Sequence, residues 1–435
     1  MRYLSNESLE VSHAEGDGRP SQTYKSYVLG ILTLIYTLNY LDRGLIILLL
    51  QPIKEDLQLS DTQLGFLTGI AFGLFYATLG LPIARWADRG NRVTITSLAI
   101  GLWGVTVMMC LYVTNFVQLI AARVAAGVGE SGCMPPTYSL LGQYFPGPAE
   151  RTRAMSIYML GQPLASLGSF ALGGWLSARY GWRMTFLLMG IPALLVAAVA
   201  KLTIREPRVT GSALSAPPHV PRLGEIVAIM WRQRSLRHLT LGIILLYTMW
   251  LGQAPWYAAF LMRSHGMSTV ELGSWLGLIF GIGGAVGIAF GGHVCARWFT
   301  GNEPGQMRLN ALTVALLLPC LVAFLLLPGK FGALLAMVPL ALVGNFLFGP
   351  TFALMQRLVT EQMRATLLAL VMLLANLIGM GIGPQLVGIL SDALRPLLGN
   401  DSLRYAMLAT ALLAIWAAYH FWQAGRTVRA ELIAT

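Results

Sequence analysis

Charge is what this 435-residue chain lacks. Only 11% of its residues are Asp, Glu, Lys or Arg, against 56% apolar, and its mean hydropathy is +0.64. Soluble globular domains carry about 25% charged residues, so that class is excluded. Acids are scarcer than bases, 19 against 30. The four cysteines, Cys110, Cys133, Cys295 and Cys320, fall inside apolar stretches without metal-binding spacing, so they read as packing residues and no disulfide is expected. No G-x-x-x-x-G-K-[ST] loop supports an ATP-driven pump. Neither H-E-x-x-H nor G-x-S-x-G supports an enzyme, and the six histidines are scattered. Residues 1–20 carry Glu7, Glu10, Glu15 and Asp17 without an apolar run, which excludes a signal peptide and predicts a disordered tail.

What is present is apolar sequence in lengths that suit a bilayer. Runs of about 20 residues cross the hydrocarbon core as helices. Twelve are predicted, at 26–50, 62–85, 93–114, 116–140, 154–178 and 184–203, then 239–262, 270–298, 309–328, 331–356, 366–391 and 403–423. The expected fold is all-α integral membrane: two six-helix bundles, 26–203 and 239–424, with tails 1–25 and 425–435 and a linker 204–238. In that linker Pro207, Pro217, Pro218 and Pro221 predict irregular chain. Leu223, Ile226, Val227, Ile229 and Met230 then predict a short amphipathic helix on the membrane surface. With both termini cytoplasmic, 21 of the 30 Lys and Arg lie inside, 7 outside and 2 within spans, which satisfies the positive-inside rule. The expected location is the inner (plasma) membrane. The basic surplus then reflects topology and contact with lipid head groups, and no nucleic-acid partner is expected.

Four ionisable residues interrupt the apolar runs of the first half: Asp42, Arg43, Arg123 and Glu130. A charge at bilayer depth costs at least ~2.5 to 3.5 kcal/mol, so such groups face a polar path and a partner. Arg123 and Glu130 are two turns apart, about 10.5 Å along one helical face. Asp42 and Arg43 diverge by about 100°, which predicts that they cannot both face one neighbour. Arg43 is expected to reach Glu130, with Asp42 nearby. Burial favours the protonated acid and an adjacent Arg the ionised one, so moving the Arg would change proton occupancy. A permanent pair that holds two helices in register is the alternative. For Arg123 a gating or structural role and substrate contact both stand open. Helices of the second half offer no comparable charge, only amides and aromatics. Tyr36, Tyr40, Trp250, Gln253, Tyr257, Asn345 and Asn376 are the candidates for lining a substrate cavity.

Several motifs point to a family. Ala84-Arg85-Trp86-Ala87-Asp88-Arg89-Gly90-Asn91-Arg92 resembles the G-x-x-x-D-R-x-G-R loop of the major facilitator superfamily, with Ala84 and Asn91 in place of its glycines. Arg123 to Gly129 resembles the R-x-x-x-G-x-G pattern, and Gly383-Pro384 with Gly388, Ser391 and Asp392 the glycine-rich bend of the eleventh helix. The second copy of the loop is degraded around Gly287, Gly291, Gly292 and Arg297. Asn39 to Arg43 and Gly127 to Ser131 are similar to the spinster branch, whose animal members are associated with export of sphingolipids or lysophospholipids. Prokaryotic relatives are also linked to sugar acids and aromatic acids. The resemblance implies an alternating-access secondary transporter, proton-coupled, for an amphipathic or lipid-like small molecule. A facilitator or symporter of a small organic or sugar acid is the alternative, and a non-transporting receptor a weaker one. It implies gating by Asp88, with Arg89 and Arg92 gating or structural, while Asp42, Arg43 and Glu130 are the candidates for proton coupling or substrate contact. No metal or cofactor is implied beyond a proton gradient, and a monomer is expected.

Overall fold

The computed structural model describes residues 21–207, 223–298, 302–344 and 348–432. Asn345 lies outside the described residues, as do the side chains of Asp88 and Arg89. Among the described residues every element is helical.

The first half comprises α1 (Gln22–Leu57), α2 (Asp61–Thr68), α3 (Ile70–Arg89), α4 (Arg92–Met109), α5 (Phe116–Ser131), α6 (Met134–Tyr144), α7 (Pro148–Met159) and α8 (Gly161–Thr203). Short helix α9 (Leu223–Arg232) buries Ile226 and Met230 while Leu223 and Trp231 face outward. The second half comprises α10 (Arg234–Gln253), α11 (Trp256–His265), α12 (Thr269–Leu276), α13 (Gly283–Trp298), α14 (Glu303–Leu326), α15 (Lys330–Gly344), α16 (Phe348–Arg357), α17 (Glu361–Ala375), α18 (Gly383–Leu398), α19 (Ser402–Ala411) and α20 (Leu413–Glu431).

Local chemistry explains the punctuation. Ser60 and Gln63 form a reciprocal capping box that starts α2, and the Asn91 side chain accepts from Thr94 N to start α4. Within α8 the chain turns at Gly181, whose φ of 78° suits glycine and separates the two predicted spans that the helix joins. Other predicted spans break in mid-membrane, at Gly69, at Gly132 to Cys133 and at Ala254 to Pro255. Such breaks are tolerated at membrane depth where neighbouring helices satisfy the freed backbone groups. Among the described residues, six continuous helical stretches are long and apolar enough to span a bilayer on their own. Two π-helical turns, Gly277–Ile282 and Asn376–Ile382, interrupt the second half.

The buried cores reveal how the halves meet. The end of the bundle far from the termini is called distal here. One core runs from first-half residues such as Leu45, Leu64 and Trp103 into distal second-half residues Trp256, Phe260, Leu272, Phe324 and Val387. The other joins Ile226 and Met230 of α9 to second-half residues on the terminal side, among them Leu239, Val314, Leu354 and Phe421. The halves are therefore fused distally and separate toward the termini. Glycine makes the distal seam close: a Cβ at Gly65 would meet Pro384 O at 2.6 Å, and one at Gly388 would run into the Asp61 carbonyl. On the terminal side the halves flank a cleft of about 740 Å³ that touches Tyr138, Met155, Met159 and Pro163 in the first half and Ala285 in the second.

Candidate functional site

α1 supplies Asp42 and Arg43 and α5 supplies Arg123 and Glu130; Asp42 and Glu130 are fully buried. Arg43 Nε donates to Glu130 Oε2 at 3.2 Å, and Arg123 Nη1 donates to Asp42 Oδ2. Two acids and two bases thus pair off inside the first half. This corrects the expectation that Asp42 and Arg43 cannot both address one neighbour, since both address α5. The helices do not press backbone to backbone there, so long guanidinium arms bridge the gap. The two-turn offset between Arg123 and Glu130 gives each acid its own base.

The pairing is incomplete in a telling way. Asp42 Oδ1, Glu130 Oε1 and Arg123 Nε are buried and lack a protein hydrogen-bond partner. A buried polar atom left unmatched costs about 1–3 kcal/mol, so these three atoms remain open to a further partner. Asn39 Nδ2 adds a 3.4 Å contact to the Glu130 carbonyl. Phe72 of α3 spaces the two bases, with Arg43 5.4 Å and Arg123 5.1 Å from its ring centroid, while Tyr40 lies 4.6 Å from Arg43. These cation–π contacts hold the guanidiniums against the face of a cavity.

That cavity, about 250 Å³, lies between the halves. Tyr40, Arg43, Thr68, Phe72 and Arg123 form its first-half wall, and Trp250, Leu251, Tyr257, Phe280 and Met380 its second-half wall. Phe280 and Met380 come from the two π-helical turns, a device that recurs at functional sites because it re-aims side chains. Tyr257 stacks on Phe280 at 6.1 Å with ring planes 8° apart. Both arginines lie on the first-half wall, and aromatic rings line both walls, Tyr40, Phe72 and Phe170 on one and Trp250, Tyr257 and Phe280 on the other.

Three expected cavity residues are elsewhere. Gln253 is fully buried between α10 and α19, where its Nε2 donates to Met407 O at 2.9 Å and to Thr410 Oγ1 at 3.1 Å. Asn376 turns back on its own helix, donating to Met372 O at 2.8 Å. Tyr36 is buried behind the wall, stacked 4.5 Å from Tyr158 and 4.8 Å from Tyr40. It braces Tyr40 instead of touching the cavity. In each case the amide or ring found a partner away from the cavity.

A second charged cluster, absent from the sequence reading, closes the distal end. Asp61, at the start of α2, accepts from Lys54 and from both terminal nitrogens of Arg263 at 2.8 Å, and Ser391 Oγ donates to it at 2.6 Å. Arg263 Nε also donates to Gln51 Oε1 at 2.7 Å. Asp392 accepts from the backbone N–H of Asp61 at 3.1 Å and of Thr62 at 2.7 Å, so a second-half acid caps a first-half helix. Burial works to raise the Asp61 carboxyl, but Arg263 and Lys54 outweigh it and hold the group well below the usual carboxylate range. Burial, with Arg263 behind it, draws the Lys54 ammonium below its ordinary value. The available signal was an acid at the edge of two predicted spans, at 61 and at 392, in an acid-poor chain.

Of the loop signature, Arg92 is the member whose side chain is described. Its Nη1 lies 3.4 Å from Glu206 Oε1, and Glu206 also accepts from Val93 N at 3.0 Å. That contact ties the start of α4 to the chain leaving α8 within the first half.

Comparison with known proteins places this architecture. The family model described as Major Facilitator Superfamily matches residues 32–424. An MFS-type efflux pump of Mycolicibacterium smegmatis is 31% identical over 428 residues, 98% of each chain. A hexuronate transporter of Bacillus subtilis is 24% identical over 89% of this chain and 93% of its own. The crystal structure of a bacterial homologue of the human lysosomal transporter Spinster, inward-facing and occupied, matches with a TM-score of 0.83 at 29% identity, over 95% of this chain and all of that one.

Proposed function

The chain belongs to the major facilitator superfamily, in its spinster-like branch, and from that premise we propose that it is a proton-coupled carrier of an anionic, amphipathic, lipid-like molecule. As a member of the family it is a multi-pass membrane transporter of small molecules. We place both termini in the cytoplasm, on the distribution of Lys and Arg, so that the distal seam faces outside and the halves open inward.

The observation that carries the reading is the first-half wall: Arg43 and Arg123 border the cavity while their acids stand buried directly behind. A cargo anion competes with Glu130 for Arg43. A proton on Glu130 removes that competitor, so proton and anion occupy the site together. The aromatic second-half wall offers a tail or ring the desolvated surface it needs. Rocking of the halves about the site then carries both across, and proton binding drives the cycle because it favours one state over the other.

Purified protein in sealed vesicles, given a pH gradient and a radiolabelled lysophospholipid, tests the reading. Gradient-driven flux is expected to fall by at least about tenfold in Glu130→Gln, the equivalent of ~1.4 kcal/mol. Ligand binding should tighten as pH falls in the parent protein and lose that dependence in the variant. Equal flux with and without a gradient overturns the coupling.

A cavity of about 250 Å³ and the likeness to a hexuronate transporter favour a second cargo, a small sugar acid, on the same arginines. Competition between hexuronate and lysophospholipid in the same vesicles separates the two.

A further inference from the structure

A recess of about 480 Å³ opens where the start of α10 meets the end of α20, on the terminal side and on the outer flank of the bundle. Arg234, Arg237, His238, Gln423, Arg426 and Thr427 line it. It shares no residue with the central cavity.

Three guanidiniums line it, and Arg237 Nη1 donates to Trp231 O at 3.3 Å. Among the described residues, none of the three lies in an ion pair. One acid, Glu431, stands beside them: its two oxygens accept from Arg234 N at 3.0 Å and Ser235 N at 2.8 Å, capping α10, and its single charge leaves the recess cationic. His238 is fixed by an Nδ1 to Nδ1 contact of 2.8 Å with His420. Like charges gathered in one recess repel, and an anion that accepts several charge-assisted hydrogen bonds relieves them.

The surroundings say what kind of anion. Leu412, Ile415, Trp416, Tyr419 and Trp422 are each at least half exposed. Their spacing of three and four places them in one stripe along the helix, and Arg426 continues that stripe into the recess. Trp and Tyr in such a position mark the interface between acyl chains and head groups. Arg308 lies 5.9 Å from the Trp422 ring and adds a fourth cation at that level. A soluble anion would use the cations and ignore the stripe, whereas a phospholipid uses both.

We propose that this recess binds the phosphodiester of an anionic phospholipid from the leaflet on the side of the termini, with an acyl chain laid along the α20 stripe. Arg234 and Arg426 grip the phosphate, Arg237 and His238 flank it, and Trp416 and Tyr419 receive the chain. α10 also carries Trp250 and Leu251 of the cavity wall, so the lipid steadies the helix that faces the cargo.

The full-length protein in neutral detergent is titrated with phosphatidylglycerol, phosphatidylcholine or inorganic phosphate, followed by thermal unfolding and by native mass spectrometry of retained lipid. Phosphatidylglycerol is expected to raise the Tm and remain bound, and the other two are not. Arg234→Gln combined with Arg426→Gln should weaken phosphatidylglycerol about thirty-fold, and Arg426→Gln alone about fivefold should the pair not fold. Arg153→Gln, which removes the same charge from exposed α7, should leave the affinity within about twofold. Equal response to phosphatidylcholine, stabilisation by inorganic phosphate alone, or an equal loss in Arg153→Gln overturns the proposal.

Discussion

Two buried charge clusters use the same chemistry on opposite sides of one structural divide. The central cluster, Asp42 with Arg123 and Arg43 with Glu130, lies wholly in the first half. The distal cluster centres on Asp61, which is held by Lys54 of its own half and by Arg263 and Ser391 of the other. When two halves rock, contacts inside one half travel with it, and contacts across the seam must break. The distal cluster is therefore built as a latch. The central cluster turns Arg43 and Arg123 toward the cavity, where the proposed function needs them. Position relative to the seam separates the two roles, while burial and bond geometry look alike.

The largest effect expected from breaking this comparison is at Arg123. Arg123→Leu strands Asp42 as a buried, uncompensated charge, and removing one partner of such a pair costs about 3–5 kcal/mol. The melting temperature of the purified protein should collapse, and Asp42→Asn added to Arg123→Leu should restore most of it. If the single variant melted like the parent, the pair would not be holding a charge out of lipid.

Asp61→Asn should act on conformation more than on folding. It deprives Lys54 and Arg263 of a shared charge at the seam, where charge-assisted hydrogen bonds contribute about 1.5–3 kcal/mol each. Spin labels at exposed Gln58 and Asn400, one on each half, should report a longer distal distance in a tenfold or greater share of molecules, about 1.4 kcal/mol at minimum. An unchanged distance distribution would remove the latch from the mechanism. The pH dependence follows in sign. A carboxyl held below its unfolded value stabilises the closed seam above the ordinary Asp pKa of about 3.9, and that contribution is lost only as pH falls through the folded value. The distal distance in the parent protein should therefore stay constant from about pH 8 to pH 5.

Gly388→Ala tests the seam without touching a charge. Its Cβ would meet the Asp61 carbonyl, a backbone atom that cannot swing aside, and overpacking of this kind costs about 1–3 kcal/mol. The same spin-label pair should lengthen as in Asp61→Asn but by a smaller share.

The membrane architecture was legible in the sequence because a bilayer imposes a length rule that single residues cannot hide. The four intramembrane charges were legible because each is costly enough to need a reason. Gln253 and Asn376 were misread because an amide is neutral, and any backbone carbonyl within reach satisfies it. Asp61 was invisible because it sits at a span boundary, where an acid is unremarked, and its partners at 263 and 391 are about two hundred residues or more away in sequence. Pairings across the seam belong to the way the halves dock, which no local pattern encodes.

The smallest effect is expected at Arg92, and its smallness is informative. The resemblance gives this residue a gating role, whereas its contact with Glu206 lies within the first half, with side chains 13% and 21% exposed. At 3.4 Å the pair is longer than a charge-assisted hydrogen bond of about 2.7–2.9 Å, and Glu206 would keep its bond to Val93 N at the start of α4 after Arg92→Gln. A contact that travels with one half cannot tell open from closed. Arg92→Gln should leave the Gln58 to Asn400 distance unaltered and lower the melting temperature only slightly. A shift as large as that of Asp61→Asn would show that Arg92 leaves Glu206 for the other half during the cycle, and the division between seam and half would have to be redrawn at the terminal end.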